Sequence, residues 1–404
     1  MPGVVHDRSR CRTTPPITAM GTTPLPTKGT VRILQTAALV SSLDRAAIAP
    51  LLVPIAASFH RSVDEVTLAA TLYLLAYGVM QLLWAAGSDR FGRVRTMRVS
   101  LLIAGIAAIG SAAAPSLPLL IASRGIAGAA FAAAVPAALV YIGDTVPIKV
   151  RPAALADLAT GIAAGFALGT LGAAVLSDHL HWRFAFVITG ASALALAVLT
   201  RRIPEPHRTP TPGILARVPQ LVRHPGTILV LVLGFVEGFI VLGFLVFLPA
   251  TLQLTGVSTA TAGAVTAVYG LAVILTAWGI KLTAGRVPPP LVIASGGCLV
   301  VIAFGLLTAA QTPVTVMIAA ACLGASWAQL HTALQAWATE VSPTSRALVV
   351  SAFATVLFTG SAVGTWAGGL LLTGGSLTTL FGSATALAAT LAVTATIGRA
   401  QQTF

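Results

Sequence analysis

The chain has little charge, few acidic residues and almost no cysteine. Only 9% of its 404 residues are Asp, Glu, Lys or Arg, and 11 of them are acidic. Soluble globular domains carry about 25% charged residues, so a soluble globule is excluded. The three cysteines, Cys11, Cys298 and Cys322, match neither a metal-ligand spacing nor a disulfide framework. The sequence also lacks a phosphate-binding loop, a metal-ligand cluster and a nucleophile elbow, which argues against an enzyme and against a resident cofactor or metal.

Apolar side chains are abundant instead, at 56% of the chain, with a mean hydropathy of +0.91. Twelve apolar runs are long enough to cross a bilayer core of about 30 Å as helices. We therefore predict an all-α membrane protein with twelve transmembrane helices. The runs cover residues 32–57, 66–87, 96–114, 117–142, 153–176, 183–199, 227–252, 260–281, 288–310, 313–338, 346–373 and 376–398.

The net charge of +13 is spread over short loops and does not form one basic domain, so we predict no nucleic-acid partner. With the N-terminus inside, 20 of the 24 Lys and Arg residues fall in loops at the cytoplasmic face. Positive residues concentrate on that face of membrane proteins, so both termini are expected to be cytoplasmic. Frequent Ala and Arg with few Lys favour a bacterial inner membrane.

Polar segments divide the chain into five parts. Residues 1–30 are predicted to be a disordered cytoplasmic tail, because they are rich in Pro, Thr and Arg. Residues 200–226, with five Arg and six Pro, are predicted to be a cytoplasmic linker. The linker separates a six-helix bundle at 31–199 from a second at 227–398, and a short cytoplasmic tail follows at 399–404.

A basic hairpin, residues 85–98, joins the second and third runs and contains four arginines. Its core from Asp89 to Arg93, with Arg90 and Gly92 between them, resembles motif A of the major facilitator superfamily. Ala85 stands where the family has its first glycine, and Gly87 where it has leucine. The resemblance implies two pseudo-symmetric six-helix bundles that transport by alternating access. We expect Asp89, Arg90, Gly92 and Arg93 to form a cytoplasmic gate, with Asp89 contacting the N-terminus of the eleventh helix.

The fifth run carries glycines at close helical spacing: Gly161, Gly165, Gly169 and Gly172. Such glycines let two helix backbones approach closely, so we predict a tight helix contact. The run also resembles motif C of the antiporters, although Thr170 replaces its proline and Ala173 its last glycine. Gly360 and Gly364 follow Arg346 at the spacing at which Gly165 and Gly169 follow Arg151, which indicates two parallel repeats.

Four charged residues lie deep inside the apolar runs, where each costs ~2.5 to 3.5 kcal/mol and therefore needs a function or a partner. They are Asp44 and Arg45 in the first run, Arg124 in the fourth and Glu237 in the seventh. Residues 41–50 resemble the acidic motif of drug:proton antiporters, and residues 124–128 resemble motif B, whose arginine is associated with proton transfer. We expect Asp44 to carry the proton, Arg124 to modulate it and Glu237 to be a second site. Arg45 points about 100° away from Asp44 and is expected to make a different contact.

Each of these assignments has a structural alternative. Asp44 and Arg124 could form a permanent ion pair that only fixes helix packing. Glu237 could bind a cationic substrate, accept a proton or be a satisfied core acid. In the tenth run, Trp327, His331 and Gln335 recur every four residues and form either a substrate-binding wall with Glu237 or a packing stripe.

The resemblance thus implies a secondary active transporter, with proton-coupled efflux of a small organic molecule or drug as the main hypothesis. Its expected partners are lipid, protons and the substrate, and it is expected to be a monomer. The alternative within transport is an uptake carrier or facilitator for a metabolite. The alternative from another class is a membrane receptor or enzyme.

Overall fold

The computed structural model describes residues 28–206, 224–283, 286–341, 346–373 and 376–402. These residues form helices, and none of them lies in a strand. Within these ranges, twelve helices are long and apolar enough to span a membrane, and each coincides with one predicted run. They are α1 Lys28–Phe59, α2 Val63–Phe91, α3 Arg93–Ala113, α4 Leu117–Thr145, α5 Arg151–His179, α6 Arg183–Leu199, α7 Pro225–Leu254, α8 Thr259–Thr283, α9 Pro289–Ala309, α10 Pro313–Glu340, α11 Arg346–Thr373 and α12 Leu377–Gln401.

The helices form two bundles of six, α1 to α6 in the N-terminal half and α7 to α12 in the C-terminal half. Helices suit a lipid environment because every backbone N–H and C=O within them is paired internally. The terminal face is the side at which α1 begins and α12 ends, and the opposite face is the other side. Three helices are irregular: α4 is interrupted after Phe131, and α7 and α10 contain π-helical turns at Gly238–Leu242 and Trp327–His331.

Glycines of α5 bring its backbone against α1. A Cβ at Gly165 would lie 2.3 Å from the Leu39 carbonyl oxygen, and one at Gly169 would lie 2.4 Å from that of Leu43. No side chain fits at such distances, so glycine is required at both positions. A Cβ at Gly161 would make only an ordinary contact, 3.4 Å from a backbone oxygen of α1.

Gly172 departs from the predicted helix contact. A Cβ at Gly172 would meet nothing within 4 Å. The spacing of three residues from Gly169 turns this position away from α1, whereas the contacting glycines follow each other at intervals of four.

The same packing recurs in the C-terminal half. There, Cβ atoms at Gly360 and Gly364 would each lie 2.1 Å from a carbonyl oxygen of α7, those of Phe235 and Phe239. The pair α11 and α7 thus repeats the pair α5 and α1. This repetition supports the parallel internal repeat seen in the sequence.

Contacts between the halves include two polar ones at the opposite face. Pro54 in α1 has no N–H, so the Pro50 carbonyl is free of its usual helical partner. The Gln253 side chain of α7 donates to that carbonyl at 2.9 Å. In the second contact, the Asp178 carboxylate at the end of α5 accepts from the Ala260 N–H at the start of α8, at 3.3 Å. Both contacts must break if the halves separate at this face.

The segment that follows α6 docks on the terminal face of the N-terminal half. The Glu205 carboxylate accepts from the N–H groups of Val94 and Arg95, each at 3.2 Å, and so caps the start of α3. The Tyr141 hydroxyl donates to the Pro204 carbonyl at 3.2 Å. Most of the predicted linker at 200–226 lies outside the described residues, as does nearly all of the predicted tail at 1–30, so both remain predictions.

Helix α12 continues beyond its predicted end at residue 398. Arg399, predicted to lie in the C-terminal tail, forms an ion pair with Glu340 at 2.6 Å and lies 5.6 Å from the centre of the Trp337 ring. The Trp337 indole N–H donates to the Gln402 side chain at 2.7 Å. These contacts with α10 explain why the last residues remain helical.

Candidate functional site

Asp44 and Arg124 form a fully buried ion pair inside the N-terminal half. The two guanidinium NH groups of Arg124 donate to the two Asp44 carboxylate oxygens at 3.1 and 2.8 Å, and one also donates to the Asp44 backbone carbonyl at 3.3 Å. Both side chains have no exposed surface. Such a two-point contact fixes the relative positions of α1 and α4.

Other side chains complete the environment of this pair. The Thr189 hydroxyl of α6 donates to Asp44 Oδ1 at 2.9 Å. The Arg124 guanidinium carbon lies 4.5 Å from the centre of the Tyr73 ring and 4.6 Å from that of Phe186. The Asp44 carboxylate therefore accepts three side-chain hydrogen bonds, and the Arg124 cation is in contact with two aromatic rings. This geometry corresponds to the alternative of a structural ion pair.

Arg45 points away from Asp44, as expected, and lies between the two halves. Its guanidinium carbon is 5.4 Å from the centre of the Tyr77 ring and 5.1 Å from that of Phe358, which belongs to α11. Adjacent residues of α1 thus serve different environments. Asp44 belongs to the core of one bundle, and Arg45 faces the space between the bundles.

That space is the central cavity, lined by residues of α1, α2, α5, α7, α8 and α11. Its cavity volume is about 40 Å³, well below the range of about 300 to 1,000 Å³ typical of ligand pockets, so the path between the halves is narrow in this conformation. Its wall is mostly apolar, with the rings of Tyr73, Phe166 and Phe358 and the hydroxyl of Ser361. Neither Asp44 nor Glu237 is among the lining residues.

Glu237 and His331 form a second polar pair, inside the C-terminal half. His331 Nδ1 lies 3.3 Å from Glu237 Oε2, and the Glu237 side chain is 1% exposed. The other carboxylate oxygen, Oε1, is buried without a hydrogen-bond partner in the described part of the chain. Glu237 directly precedes the π turn of α7, and His331 ends the π turn of α10. Such turns are frequent at functional sites.

The predicted stripe on α10 is only partly assembled. The Trp327 and His331 rings are stacked, with centres 3.8 Å apart and planes 9° apart. Gln335 is half-buried. None of the three residues lines the central cavity, so a role in substrate binding remains a prediction.

The basic hairpin turns at Gly92, whose φ of 111° is the left-handed conformation that favours glycine. Asp89 pairs with Arg93, and Arg93 Nε also lies 3.5 Å from the Asp144 carboxylate at the end of α4. Arg90 lies 5.6 Å from the centre of the neighbouring Phe91 ring. Residues 342–345, which precede α11, lie outside the described residues, so the gate contact of Asp89 remains a prediction.

The sequence model of the Major Facilitator Superfamily matches residues 35–365, most of the chain. The chain belongs to the major facilitator superfamily. It is therefore a multi-pass membrane transporter, and the predicted fold of two pseudo-symmetric six-helix bundles is confirmed.

This major facilitator resembles curated efflux proteins. The multidrug efflux protein YfmO of Bacillus subtilis is 26% identical over 353 residues, which cover 83% of this chain and 84% of YfmO. The multidrug efflux pump LfrA of Mycolicibacterium smegmatis is 30% identical over 197 residues, 48% of this chain and 39% of the pump. Among solved structures, a variant of the nucleoside transporter NupG superposes with a TM-score of 0.77, covering 91% of this chain and 99% of NupG. At 13% identity, this last likeness concerns the fold alone.

Several residues of the transporter's interior were not anticipated from the sequence. Thr189, Tyr73 and Phe186 surround the buried ion pair, and Phe358 faces Arg45 from the other half. One weak signal exists for Thr189, one of two hydroxyl residues, with Ser192, in the apolar run of α6. The aromatic residues carry no sequence signal that distinguishes them from ordinary core residues.

Proposed function

We propose that this transporter exports a small organic molecule across the cell membrane in exchange for protons, by alternating access. Similarity to YfmO over most of both chains supports export. The concentration of Lys and Arg in the loops at the terminal face supports a cytoplasmic location for both termini. The central cavity between the halves is the proposed transport path.

The observation that carries the coupling proposal is the pair of Glu237 and His331. A proton can be held between the carboxylate and the imidazole, and the second carboxylate oxygen has no hydrogen-bond partner among the residues that the structure describes. The contact with His331 is thus the one described contact that a change in the protonation of Glu237 would disturb. Movement of the helices that alters this contact can therefore change whether Glu237 holds a proton. The π turns next to both residues allow local rearrangement of α7 and α10.

The geometry of Asp44 favours a different role. Its carboxylate already accepts from Arg124 and Thr189, and the pair is fully buried. Protonation of the Asp44 carboxylate would neutralise it and leave the buried Arg124 charge without an ionic partner. We therefore propose Glu237 as the first proton site and the pair of Asp44 and Arg124 as the fixed core of the N-terminal half.

Transport by Glu237→Gln in proteoliposomes tests this proposal. We expect the variant to lose uptake of a fluorescent efflux dye into these proteoliposomes when a pH gradient is imposed. Exchange of labelled for unlabelled dye without a gradient should persist, since exchange requires no net proton movement. Glu340→Gln is the matched control, because Glu340 is an acid of the same half that lies at the surface end of α10 and is 55% exposed, and the substitution removes a surface ion pair with Arg399 far from Glu237 in sequence.

Unchanged pH-driven transport in Glu237→Gln would rule out Glu237 as the proton site. Loss of both pH-driven transport and exchange would point to a defect in folding or in dye binding instead. If the wild-type protein moves the dye only down its own gradient, the uptake or facilitator alternative replaces proton-coupled export.

For the basic hairpin, the proposal remains that Asp89, Arg90, Gly92 and Arg93 act as a gate at the terminal face. In the present conformation Asp89 pairs with Arg93 in its own hairpin. If Asp89 released Arg93 and contacted the N-terminus of α11 instead, closure of the terminal face would be linked to the breaking of this ion pair.

A further inference from the structure

The central cavity carries one unbalanced positive charge. Arg45 is the only charged side chain among the described residues that line it. The rest of the wall consists of apolar and aromatic groups with a few hydroxyls. A cation in such a wall strongly affects which molecules can enter, because charges interact over longer distances where water is scarce.

The nearby acids do not neutralise Arg45. The Asp44 carboxylate is turned into the core and held by Arg124, and Glu237 is paired with His331. No carboxylate in the described part of the chain lies within 4.0 Å of the Arg45 guanidinium. Its neighbours are instead the rings of Tyr77 and Phe358, at 5.4 and 5.1 Å.

The two aromatic neighbours leave the hydrogen-bonding groups of the Arg45 guanidinium available for an anion. Rings stabilise the cation through their faces but accept no conventional hydrogen bonds from its N–H groups. Those N–H groups keep the planar geometry that matches a carboxylate or sulfonate in a two-point contact. Lysine could supply the charge but not this geometry.

Two further donors lie in the same wall. The Tyr73 hydroxyl of α2 and the Ser361 hydroxyl of α11 are buried, and neither has a hydrogen-bond partner in the described residues. Buried hydroxyls are usually paired with a protein group or with water, so these two have unused hydrogen-bonding capacity beside the cavity. Both can donate to an anionic oxygen.

We infer that the substrate of this transporter is an organic anion, with a carboxylate or sulfonate bound by Arg45 and an apolar or aromatic body against the cavity wall. This inference rests on the proposed function, because it takes the central cavity as the transport path. It goes beyond that proposal by naming the charge of the substrate and the residue that selects it.

Equilibrium binding to the purified full-length protein tests the inference without requiring transport. The probes are carboxyfluorescein, an anionic xanthene dye, and a rhodamine ethyl ester, a cationic dye built on the same ring system. Fluorescence polarisation gives both affinities for the wild type, Arg45→Gln and Arg45→Lys. Arg61→Gln is the matched control, since Arg61 is 58% exposed and forms its ion pair with Glu65 at the opposite face.

We expect the wild type and Arg61→Gln to bind carboxyfluorescein more tightly than the rhodamine. Arg45→Gln should lose about tenfold or more in affinity for carboxyfluorescein, the scale of one charged hydrogen-bonded contact. Its affinity for the cationic dye should be unchanged or higher. Arg45→Lys should fall between the wild type and Arg45→Gln for the anion, since it keeps the charge and loses the two-point geometry.

The inference is overturned if the wild type does not bind the anion, or if it prefers the cation. It is also overturned if Arg45→Gln binds carboxyfluorescein as the wild type does. Failure of the proposed function gives a different result: Arg45-dependent binding of the anion would persist, but a pH gradient would drive no export. Export of a cationic dye with no effect of Arg45→Gln would leave the proposed function standing and remove this inference.

Discussion

Replacing Asp44 with asparagine provides the sharpest test of how the buried ion pair works. Asp44→Asn preserves the size of the side chain and removes its charge. Arg124 would then remain fully buried with its positive charge, and the contacts at 3.1 and 2.8 Å would lose their ionic partner. Breaking a buried pair by removing one partner costs about 3 to 5 kcal/mol, because the remaining charge is uncompensated. We expect the folded protein to be destabilised by an amount on that scale.

A double-mutant cycle separates this effect from other consequences of the substitution. Asp44→Asn, Arg124→Gln and the double variant would be purified in detergent, and their thermal unfolding midpoints and inactivation rates compared. Each single variant should unfold several degrees below the wild type. The double variant should be more stable than the sum of the single losses predicts, since it leaves no unpaired charge. Arg61→Gln provides the reference for an exposed pair, which is worth about 0 to 1 kcal/mol.

Two results would contradict a purely structural role for the pair of Asp44 and Arg124. If Asp44→Asn unfolds at the wild-type temperature but loses pH-driven transport and keeps exchange, Asp44 is a proton carrier and the order of the two sites is reversed. If the double variant loses the sum of the single effects, the two residues do not interact as the distances indicate.

Three further substitutions test the packing of α5 and the capping of α3. Gly169→Ala should lower the unfolding midpoint, because its Cβ would lie 2.4 Å from a carbonyl oxygen of α1 and overpacking costs about 1 to 3 kcal/mol. Gly172→Ala, which would meet nothing within 4 Å, should be neutral in the same melting experiment, and equal losses would contradict the packing described here. Glu205→Ala removes the acceptor for two N–H groups of α3 and should cost about 0.5 to 2 kcal/mol. Faster hydrogen exchange at Val94 and Arg95, with α9 unchanged, would verify the cap, and unchanged exchange would exclude it.

The helices were predictable because their signal is local. Twelve apolar runs define twelve spans, since backbone groups in lipid must be paired within the helix. That Gly165 and Gly169 share one contacting face was predictable for a related reason, because spacing along one helix determines which residues share a face, but the partner helix α1 was not predicted. The π turns of α7 and α10 were not predicted, because the apolar composition that identifies these spans is the same for an α turn and a π turn.

The site was less predictable because its contacts are distant in sequence. Asp44 and Arg45 are neighbours on a helix that is apolar on nearly all sides, so composition does not reveal which of them faces the cavity. The hydroxyl that binds Asp44 comes from Thr189, 145 residues away, and the cap of α3 comes from Glu205, 111 residues from Val94. Only the packing of the helices brings these groups together.

The two halves repeat the scaffold but do not repeat the chemistry. The glycines of α5 and α11 pack on the carbonyls of Leu39 and Phe235, so these residues occupy equivalent places on α1 and α7. Two residues further along, Ser41 in the N-terminal half corresponds to Glu237 in the C-terminal half. Ser41 makes a single hydrogen bond to a backbone carbonyl of α4, whereas Glu237 meets His331. In the internal repeat, the position equivalent to Glu237 is therefore that of the neutral hydroxyl residue Ser41 and not that of Asp44. The buried acid of the N-terminal half accepts three side-chain hydrogen bonds, whereas that of the C-terminal half has one carboxylate oxygen without a partner in the described residues, so the two halves place a buried acid in different surroundings.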